Sequence, residues 1–274
     1  MTVSPADTHE AFKTTLLEMT SEILRIELGG FVAVATMTRP DKRNALNEAA
    51  CNALADMLEA IGQHDEQHPV DPPVRAVLIR GEGPAFCAGA DLSGSVYGDT
   101  FHAALHRMLR AVVHCPYPVI ADVQGPAVGA GTQLSLACDL RVVGERGWFM
   151  VPPAKLGFAL DNWTLRRSEH LLGGAWTRSV MLSGARVDQQ QARISGFASE
   201  VGDADQALSF AHDVASAAPL SVKHLKSVLN RTDYGFEFAD PEHQQGYEEC
   251  WASQDAAEAR RARAEKRPAV FRGM

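Results

Sequence analysis

The distribution of apolar residues predicts a hairpin followed by a helix near the start of the chain. Residues 22–37 hold two short runs of β-favouring side chains separated by Gly29 and Gly30, a pattern typical of a hairpin. Asn47 is well placed to cap a helix in which apolar residues recur as one buried stripe. The stripe consists of Leu54, Met57, Leu58 and Ile61. We expect the charged, proline-rich run that starts at Gln63 to end this helix.

Three later apolar runs have the form of buried strands, and each is closed by glycine. They occupy residues 74–81, 118–125 and 139–144. The Ala-rich segment 127–138 lies between the last two, is too long for a strand and predicts a short buried helix. Strands that alternate with helices imply parallel strands covered by helices, so the sequence predicts an α/β fold.

Helix patterns dominate from about residue 175 onwards. In residues 220–230, one helix face carries Val222, Leu225, Val228 and Leu229. The last helical segment, from about Pro241 to Lys266, is crowded with Glu, Arg and Ala and has few apolar residues to bury. Because such a helix often packs on a neighbouring subunit, we expect the chain to form an oligomer.

Composition narrows the class of protein without naming a function. The 274 residues are 46% hydrophobic and 22% charged, which is ordinary for a soluble globular chain of one domain with an appendage. A net charge of −8 disfavours a nucleic-acid partner. No run approaches the roughly 18 apolar residues of a membrane helix, and no signal peptide is evident. The five cysteines lack metal-binding spacing, which predicts reduced thiols in a cytoplasmic protein without structural zinc.

Small residues accumulate at two junctions between a strand and a helix. These are AFCAGADL, residues 85–92, and QGPAVGAGTQL, residues 124–134. Gly and Ala let a ligand approach the backbone, and the N–H groups at a helix start can bind developing negative charge. Close packing of a helix on a strand also requires small residues, so each junction alone permits both interpretations.

Taken together, the motifs resemble those of the crotonase, or enoyl-CoA hydratase/isomerase, superfamily. The resemblance begins near residue 22, reaches the C-terminus and rests on four motifs in order. These are RPDKRNALN, AFCAGADL, PVIADVQGPAVGAG and CDLRVV. It implies a spiral of ββα units, with residues 1–200 as an acyl-CoA-binding core and 201–274 as a helical trimerisation region. It further implies a homotrimer or hexamer that binds a coenzyme A thioester, with no other cofactor and no metal.

The resemblance also assigns binding residues. It places an oxyanion hole on the backbone N–H groups of Ala90 and Ala130, where the donor is the main chain. For the basic residue near the coenzyme phosphates it offers Lys42 or Arg43, for which a charged surface loop is the alternative. The remaining positions that it assigns to coenzyme A are Ala45, Ala88, Asp91, Leu92, Lys266 and Phe271.

Two glutamates that hydratases use to hold a water and move its proton are missing. The position of the first, before Leu134, is Gln133, which can orient a water but cannot take up its proton. The position of the second, after Pro152, is Pro153, which has no acid–base function. Loss of both groups is expected to remove several orders of magnitude from any hydration rate.

One carboxylate follows these positions, at Asp161. It resembles by its spacing the single aspartate of some isomerase and dehalogenase members, and a dry pocket beside Phe158 and Trp163 would raise its pKa. The alternative role, which we favour, is the N-cap of the next helix, and one carboxylate can serve in both roles. His106 is a candidate for the acyl pocket. His102 and His106 are four apart, as in metal sites, but lack a supporting ligand, so we predict no metal.

Three functions are therefore open. The first is an acyl-CoA-binding protein of fatty acid metabolism without normal hydratase activity, working with a protein partner. The second is an enoyl-CoA isomerase in which Asp161 is the single acid and base. The third is an atypical hydratase in which Gln133 positions the water and Asp161 is the only base. In the third function, Asp161 would have to accept and donate the same proton, so we rank this function last.

Overall fold

The structure is a computed structural model, and it describes most of the chain. The described residues are 5–68, 71–93, 99–230, 248 and 251–270. Phe271 therefore lies outside the described residues. The chain forms two compact units, the first of residues 1–149 and 188–232 and the second of residues 150–187 and 233–274. The functional division predicted at residue 200 stays a prediction.

Nine strands form two sheets within the described part of the chain. They are β1 Leu24–Gly29, β2 Val32–Met37, β3 Ala76–Gly81, β4 Val119–Val123, β5 Pro126–Val128, β6 Leu140–Val143, β7 Trp148–Met150, β8 Val187–Asp188 and β9 Glu200–Val201. The larger sheet has the order β1-β2-β3-β4-β6-β9, and the smaller has the order β5-β7-β8. In the larger sheet β1 and β2 pair antiparallel, which confirms the predicted hairpin, and every other pairing is parallel.

Helices alternate with these strands and then dominate the last third of the chain. Those of the first unit are α1 Pro5–Glu18, α2 Glu48–Gln67, α3 Asp99–His114, α4 Ala130–Ala137, α8 Gln189–Ile194, α9 Ala204–Ala215 and α10 Pro219–Asn230. Those of the second unit are α5 Pro153–Leu156, α6 Asn162–Leu172, α7 Gly174–Ser183 and α11 Gln254–Ala264. A short 3-10 turn spans Pro40–Lys42. Among the described residues, none of the helices combines the length and the hydropathy that crossing a membrane requires.

Helix α2 shows how local signals determine an element. The Asn47 side chain accepts a hydrogen bond from the Ala50 amide at 2.9 Å, which confirms the predicted cap. The four residues of the predicted stripe are all buried. The end predicted at Gln63 is wrong, because α2 continues through Gln67. No helix-breaking residue occurs between Gln63 and Gln67, and their charges are compatible with a solvated last turn.

One buried cluster of the first unit lies on a single face of the larger sheet. Helix α9 covers this face with a row of alanines that permits close approach to β2, β3 and β4. The buried cluster consists of Val32, Val34, Ala76, Leu78, Ile120, Val142, Ala207, Ala211 and Ala215. Because parallel strands are covered by helices in this way, the predicted α/β class is confirmed.

Helix α10 presents its predicted apolar face to solvent. Leu225, Val228 and Leu229 are exposed, Leu229 by 70%, whereas Lys226 is buried. The Lys226 ammonium group lies 2.7 Å from the Asp139 carboxylate and donates to the carbonyl of Tyr117 at 2.8 Å. A buried lysine is stable here because these partners replace the water that it loses.

Candidate functional site

The motif that contains Ala90 runs between two other segments of the first unit. On one side, the Cys87 amide donates to the Pro126 carbonyl at 3.1 Å, and the Val128 amide donates to the Cys87 carbonyl at 2.9 Å. Cys87 thus forms a parallel bridge with Ala127. This pairing brings the first small-residue junction directly against the second.

On the other side, the same motif pairs with Leu46. The Leu46 amide donates to the Gly89 carbonyl and the Asp91 amide donates to the Leu46 carbonyl, both at 2.7 Å. In such a parallel bridge one residue bonds to both neighbours of its partner. The partner here is Ala90, whose own N–H group is therefore directed away from Leu46.

Ala130 supplies the second backbone amide, since it is the first residue of α4. The residue before it, Gly129, has a φ of 54° and makes no side-chain cap. The first amides of a helix have no partner inside the helix, and the helix dipole adds partial positive charge there. The predicted short buried helix is confirmed over Ala130–Ala137, whereas Ala127 and Val128 belong to strand β5, and the helix N-terminus faces the first junction.

The two amides belong to segments that are in contact. A Cβ atom placed on Gly89 would lie 2.9 Å from the Val128 carbonyl oxygen and 3.8 Å from the Ala130 nitrogen. Gly89 has a φ of 102°, a conformation open to glycine, so this close approach depends on the absence of a side chain. Within the described part of the chain, neither the Ala90 nor the Ala130 amide donates to a backbone carbonyl.

Gln133 lies one turn along α4 from Ala130. The residue is 5% exposed, and its backbone amide donates to the Gly129 carbonyl at 3.0 Å. Gln133 is therefore buried in the same helix turn as one of the candidate donors. An amide side chain at this position offers hydrogen bonds but no group that titrates near neutral pH.

The predicted coenzyme A residues of the first unit lie around these segments. Lys42 and Arg43 are exposed, and Arg43 adopts a left-handed φ of 52°. Ala45 is buried, Ala88 is half-buried and Leu92 is exposed. Exposed cations next to a small-residue backbone are compatible both with a phosphate contact and with a charged surface loop.

The carboxylate of Asp91 is already engaged. Its Oδ1 accepts from the Ser93 hydroxyl at 2.6 Å and from the Ser93 amide at 3.1 Å, and its Oδ2 accepts from Arg39 at 2.6 Å. The Ser93 hydroxyl, followed by Arg39, lowers the pKa of Asp91 to about 2. Asp91 is therefore an anion throughout the physiological range.

Arg39 and Asn44 bond to the segment that contains Ala90, but they were not singled out from the sequence. Arg39 also donates to the Ala45 carbonyl at 2.7 Å, and the Asn44 amide group donates to the carbonyls of Glu82 and Ala85. Both lie in the RPDKRNALN motif, whose Pro and Asp turn residues point to a loop. Their position inside that motif was the only signal that could have identified them.

His106 lies on α3 and is half-buried. Burial, followed by the nearby His102 and Arg110, lowers the pKa of His106 to about 4. The side chain is therefore neutral at physiological pH, as an acyl pocket would require. Its contact with an acyl chain stays a prediction.

In the second unit, Asp161 caps α6 as predicted. Its Oδ1 accepts from the Thr164 amide and its Oδ2 accepts from the Thr164 hydroxyl, both at 2.8 Å. Burial raises the pKa of Asp161, and the two Thr164 bonds oppose this effect. Pro153 is the first residue of the short helix α5, where proline is well tolerated because that position needs no amide donor.

The aromatic candidates of the second unit differ in exposure. Phe158 is half-buried and stacks on Trp251 with ring centroids 5.2 Å apart, whereas Trp163 is buried in the first turn of α6. Lys266 is exposed and adopts a φ of 54° just after α11. Whether these residues contact a ligand stays a prediction.

Comparison with known proteins gives a consistent picture. A family model described as enoyl-CoA hydratase/isomerase matches residues 27–274. A probable enoyl-CoA hydratase, echA6, from Mycobacterium bovis is 39% identical over 88% of this chain and 96% of its own length. Among solved structures, carnitinyl-CoA hydratase from Mycobacterium avium is 32% identical, has a TM-score of 0.80 and is matched over 93% of this chain and all of its own. An enoyl-CoA hydratase/isomerase from Pseudoalteromonas atlantica is 30% identical, with a TM-score of 0.77 over 91% of this chain and all of its own.

The fold is therefore of the crotonase class, as predicted from the order of the motifs. The chain belongs to the enoyl-CoA hydratase/isomerase family.

Proposed function

We propose that this protein binds an acyl-CoA thioester, with the thioester oxygen between the Ala90 and Ala130 amides, and does not hydrate it. The observation that carries the proposal is the contact between Gly89 and the start of α4, which brings together two amides without backbone acceptors in the described part of the chain. Family membership supports an acyl-CoA as the ligand.

The two amides would polarise the bound carbonyl. Donors that are fixed in place before the ligand arrives stabilise charge on the oxygen without reorganisation, and loss of one such donor costs about 3 kcal/mol in other enzymes. The partial positive charge at the start of α4 acts in the same direction. Binding would thus favour a carbonyl with enolate character.

The residues that would move protons argue against hydration. Gln133 is buried in α4 and Pro153 begins α5, at the positions where hydratases of this family have glutamates. Neither side chain titrates in the required range. The names of the relatives describe hydratases, but the two missing carboxylates support a carrier role for this chain.

Asp161 supports the same conclusion. Both of its oxygens bind Thr164, so the carboxylate already stabilises the start of α6. A general base would have to break or share these bonds to reach a substrate proton. The geometry of the cap therefore favours binding over proton transfer.

Calorimetry with a saturated acyl-CoA tests binding, with free coenzyme A as the matched ligand that lacks the thioester. We expect the acyl-CoA to bind more tightly than coenzyme A. In parallel, the enoyl absorbance of crotonyl-CoA is followed in the presence of the protein, with a family hydratase as positive control. Equal affinity for the two ligands, or ready loss of the enoyl absorbance, contradicts the proposal.

The second candidate function is an enoyl-CoA isomerase that uses Asp161. The specific observation in its favour is that burial raises the pKa of Asp161, as a proton shuttle requires. Double-bond migration in a 3-enoyl-CoA, measured by chromatography, tests it. Isomerisation by the unsubstituted protein that disappears in Asp161→Asn, which keeps a capping oxygen, would replace the carrier proposal.

We also propose that the protein is a homotrimer or hexamer that binds a protein partner from fatty acid metabolism. The proposal is supported by α10, whose exposed face is apolar and lies within the predicted trimerisation region. Contiguous exposed apolar surface is typical of association sites. Light scattering coupled to gel filtration tests the assembly, and a mass equal to one chain contradicts it.

A further inference from the structure

Asn44 joins its own loop to the segment that follows β3. It is 2% exposed and has a left-handed φ of 54°, which asparagine tolerates better than most residues. Its Nδ2 donates to the carbonyls of Glu82 at 2.9 Å and Ala85 at 2.8 Å, and its Oδ1 accepts from the Arg39 amide at 3.0 Å. Asn44 therefore fixes the path of residues 39–46 against the end of β3.

Arg39 extends this connection to the motif that contains Ala90. One guanidinium nitrogen donates to the Ala45 carbonyl at 2.7 Å, and another pairs with Asp91 at 2.6 Å. Both partners of the Arg39–Asp91 ion pair are largely buried, so solvent screens it less than a surface pair. The planar fork of arginine can hold both partners at once, whereas a lysine offers a single point charge.

The held segment sets the direction of the Ala90 amide. Leu46 lies directly after the residues that Arg39 and Asn44 hold, and it bonds to Gly89 and Asp91 on either side of Ala90. A shift of Leu46 would therefore move the Gly89 carbonyl and the Asp91 amide, and with them the peptide group of Ala90 between them. The groups that hold the Ala90 peptide thus bond to its two chain neighbours, Gly89 and Asp91, rather than to Ala90 itself.

We propose that Arg39 and Asn44 are positioning residues that aim the Ala90 amide at the thioester oxygen, with Arg39 acting through Ala45 and Asp91. The inference rests on the proposed function and deepens it, because it identifies what holds one of the two donors in place. It predicts that weakening the network reduces polarisation of the bound carbonyl more than it reduces overall binding.

An aromatic enoyl-CoA with a conjugated thioester provides the readout. Hydrogen bonds to its carbonyl move its absorbance to longer wavelength, and at saturation the size of this shift is independent of affinity. The unsubstituted protein is compared with Arg39→Lys, which keeps the charge and loses the fork. The matched control is Arg75→Lys, because Arg75 pairs with Asp71 and covers Phe31, away from these segments.

We expect a full shift in Arg75→Lys and a smaller shift in Arg39→Lys, with thermal unfolding within a few degrees for both. If Arg39→Lys does not fold, Asp91→Asn replaces it, since it removes the same ion pair and keeps an acceptor for Ser93. A full shift in the folded Arg39 or Asp91 variant overturns the inference and leaves the proposed function intact. Absence of any binding or shift in the unsubstituted protein overturns the proposed function, and the inference with it.

Discussion

The backbone of Gly89 packs against the start of α4, where a Cβ atom on Gly89 would lie 2.9 Å from the Val128 carbonyl oxygen and 3.8 Å from the Ala130 nitrogen. Forty residues lie between Gly89 and Ala130 along the chain. The separation of the two candidate donor amides therefore depends in part on this glycine contact.

Gly89→Ala is expected to destabilise the fold and to weaken acyl-CoA binding. The new Cβ would crowd the Val128 carbonyl at 2.9 Å and would also disfavour the φ of 102°. Crowding of this kind costs about 1–3 kcal/mol. The matched control is Gly196→Ala, which has a φ of 76° but nothing within 4 Å of the new atom. Chemical unfolding of both variants isolates the crowding, and equal losses of stability would show that it is absent.

Ala130→Pro is expected to remove one donor while leaving α4 folded. Proline is well tolerated at the first position of a helix because its missing N–H group has no partner there. Acyl-CoA affinity should fall by about fivefold to tenfold, the contribution of one hydrogen bond, and affinity for free coenzyme A should not change. Ala130→Gly keeps the amide and serves as the control in calorimetry. An equal loss of affinity for free coenzyme A would mean that the Ala130 amide contacts the coenzyme rather than the thioester oxygen.

Asp161→Ala is expected to lower the free energy of unfolding by about 1 kcal/mol, because the Thr164 amide loses its acceptor. Asp161→Asn keeps an oxygen at that position and should lose much less. The difference between the two variants in urea unfolding measures how much the cap contributes to the free energy of unfolding. A loss of stability that is the same for both would mean that the carboxylate charge, rather than the capping oxygen, stabilises α6.

The free energy of unfolding is expected to fall as the pH drops from about 6.5 to 4, and His64 is the group responsible. Burial, followed by His68 and His9, lowers the pKa of His64 from 6.5 to about 4, while Asp65 raises it. The unfolded chain therefore binds a proton in this window that the folded chain excludes. His64 also stacks on Phe12 with ring centroids 3.9 Å apart.

His64→Phe keeps a ring against Phe12 and should flatten the slope of unfolding free energy against pH between 6.5 and 4. The exposed His224, changed to Phe, is the control and should leave the slope as it is. An unaltered slope in His64→Phe would assign the acid sensitivity to other groups.

Asp122→Asn is expected to stabilise the protein at pH 7. Burial raises the pKa of Asp122 from 3.8 to about 6, while Gln124 and Arg80 oppose the effect and Asp203 adds to it. The favourable contribution of the protonated carboxyl is complete below pH 3.8 and is lost as the pH rises through 6. The difference between these two pKa values corresponds to at most about 3 kcal/mol in the free energy of unfolding.

Thermal unfolding at several pH values tests this expectation. The Asp122→Asn variant should gain most above pH 6, and the exposed Asp213, changed to Asn, should show no such gain. Equal stability of Asp122→Asn and the unsubstituted protein at pH 7 would mean that the buried carboxylate is compensated by water or by movement of Arg80.

Several features followed from the sequence because their causes are local. The hairpin at Gly29, the Asn47 cap and the stripe of α2 depend on residues within one or two turns of each other. The order of motifs was enough to predict the crotonase class, and single positions such as Gln133 and Pro153 are read directly. Periodicity and capping act over a few residues, so they can be recognised without knowledge of the tertiary contacts.

Only the tertiary structure decided which distant groups meet. The pairing of Arg39 with Asp91, and the bonds from Asn44 to the carbonyls of Glu82 and Ala85, join segments whose separation in the sequence carries no signal of contact. The orientation of α10 was also decided there. Its leucines are exposed and Lys226 is buried, because Asp139 and the carbonyls at the end of α3 offer that ammonium group better partners than its own helix can. A helix pattern specifies which residues share a face, whereas the partners that the rest of the fold provides determine which face is buried.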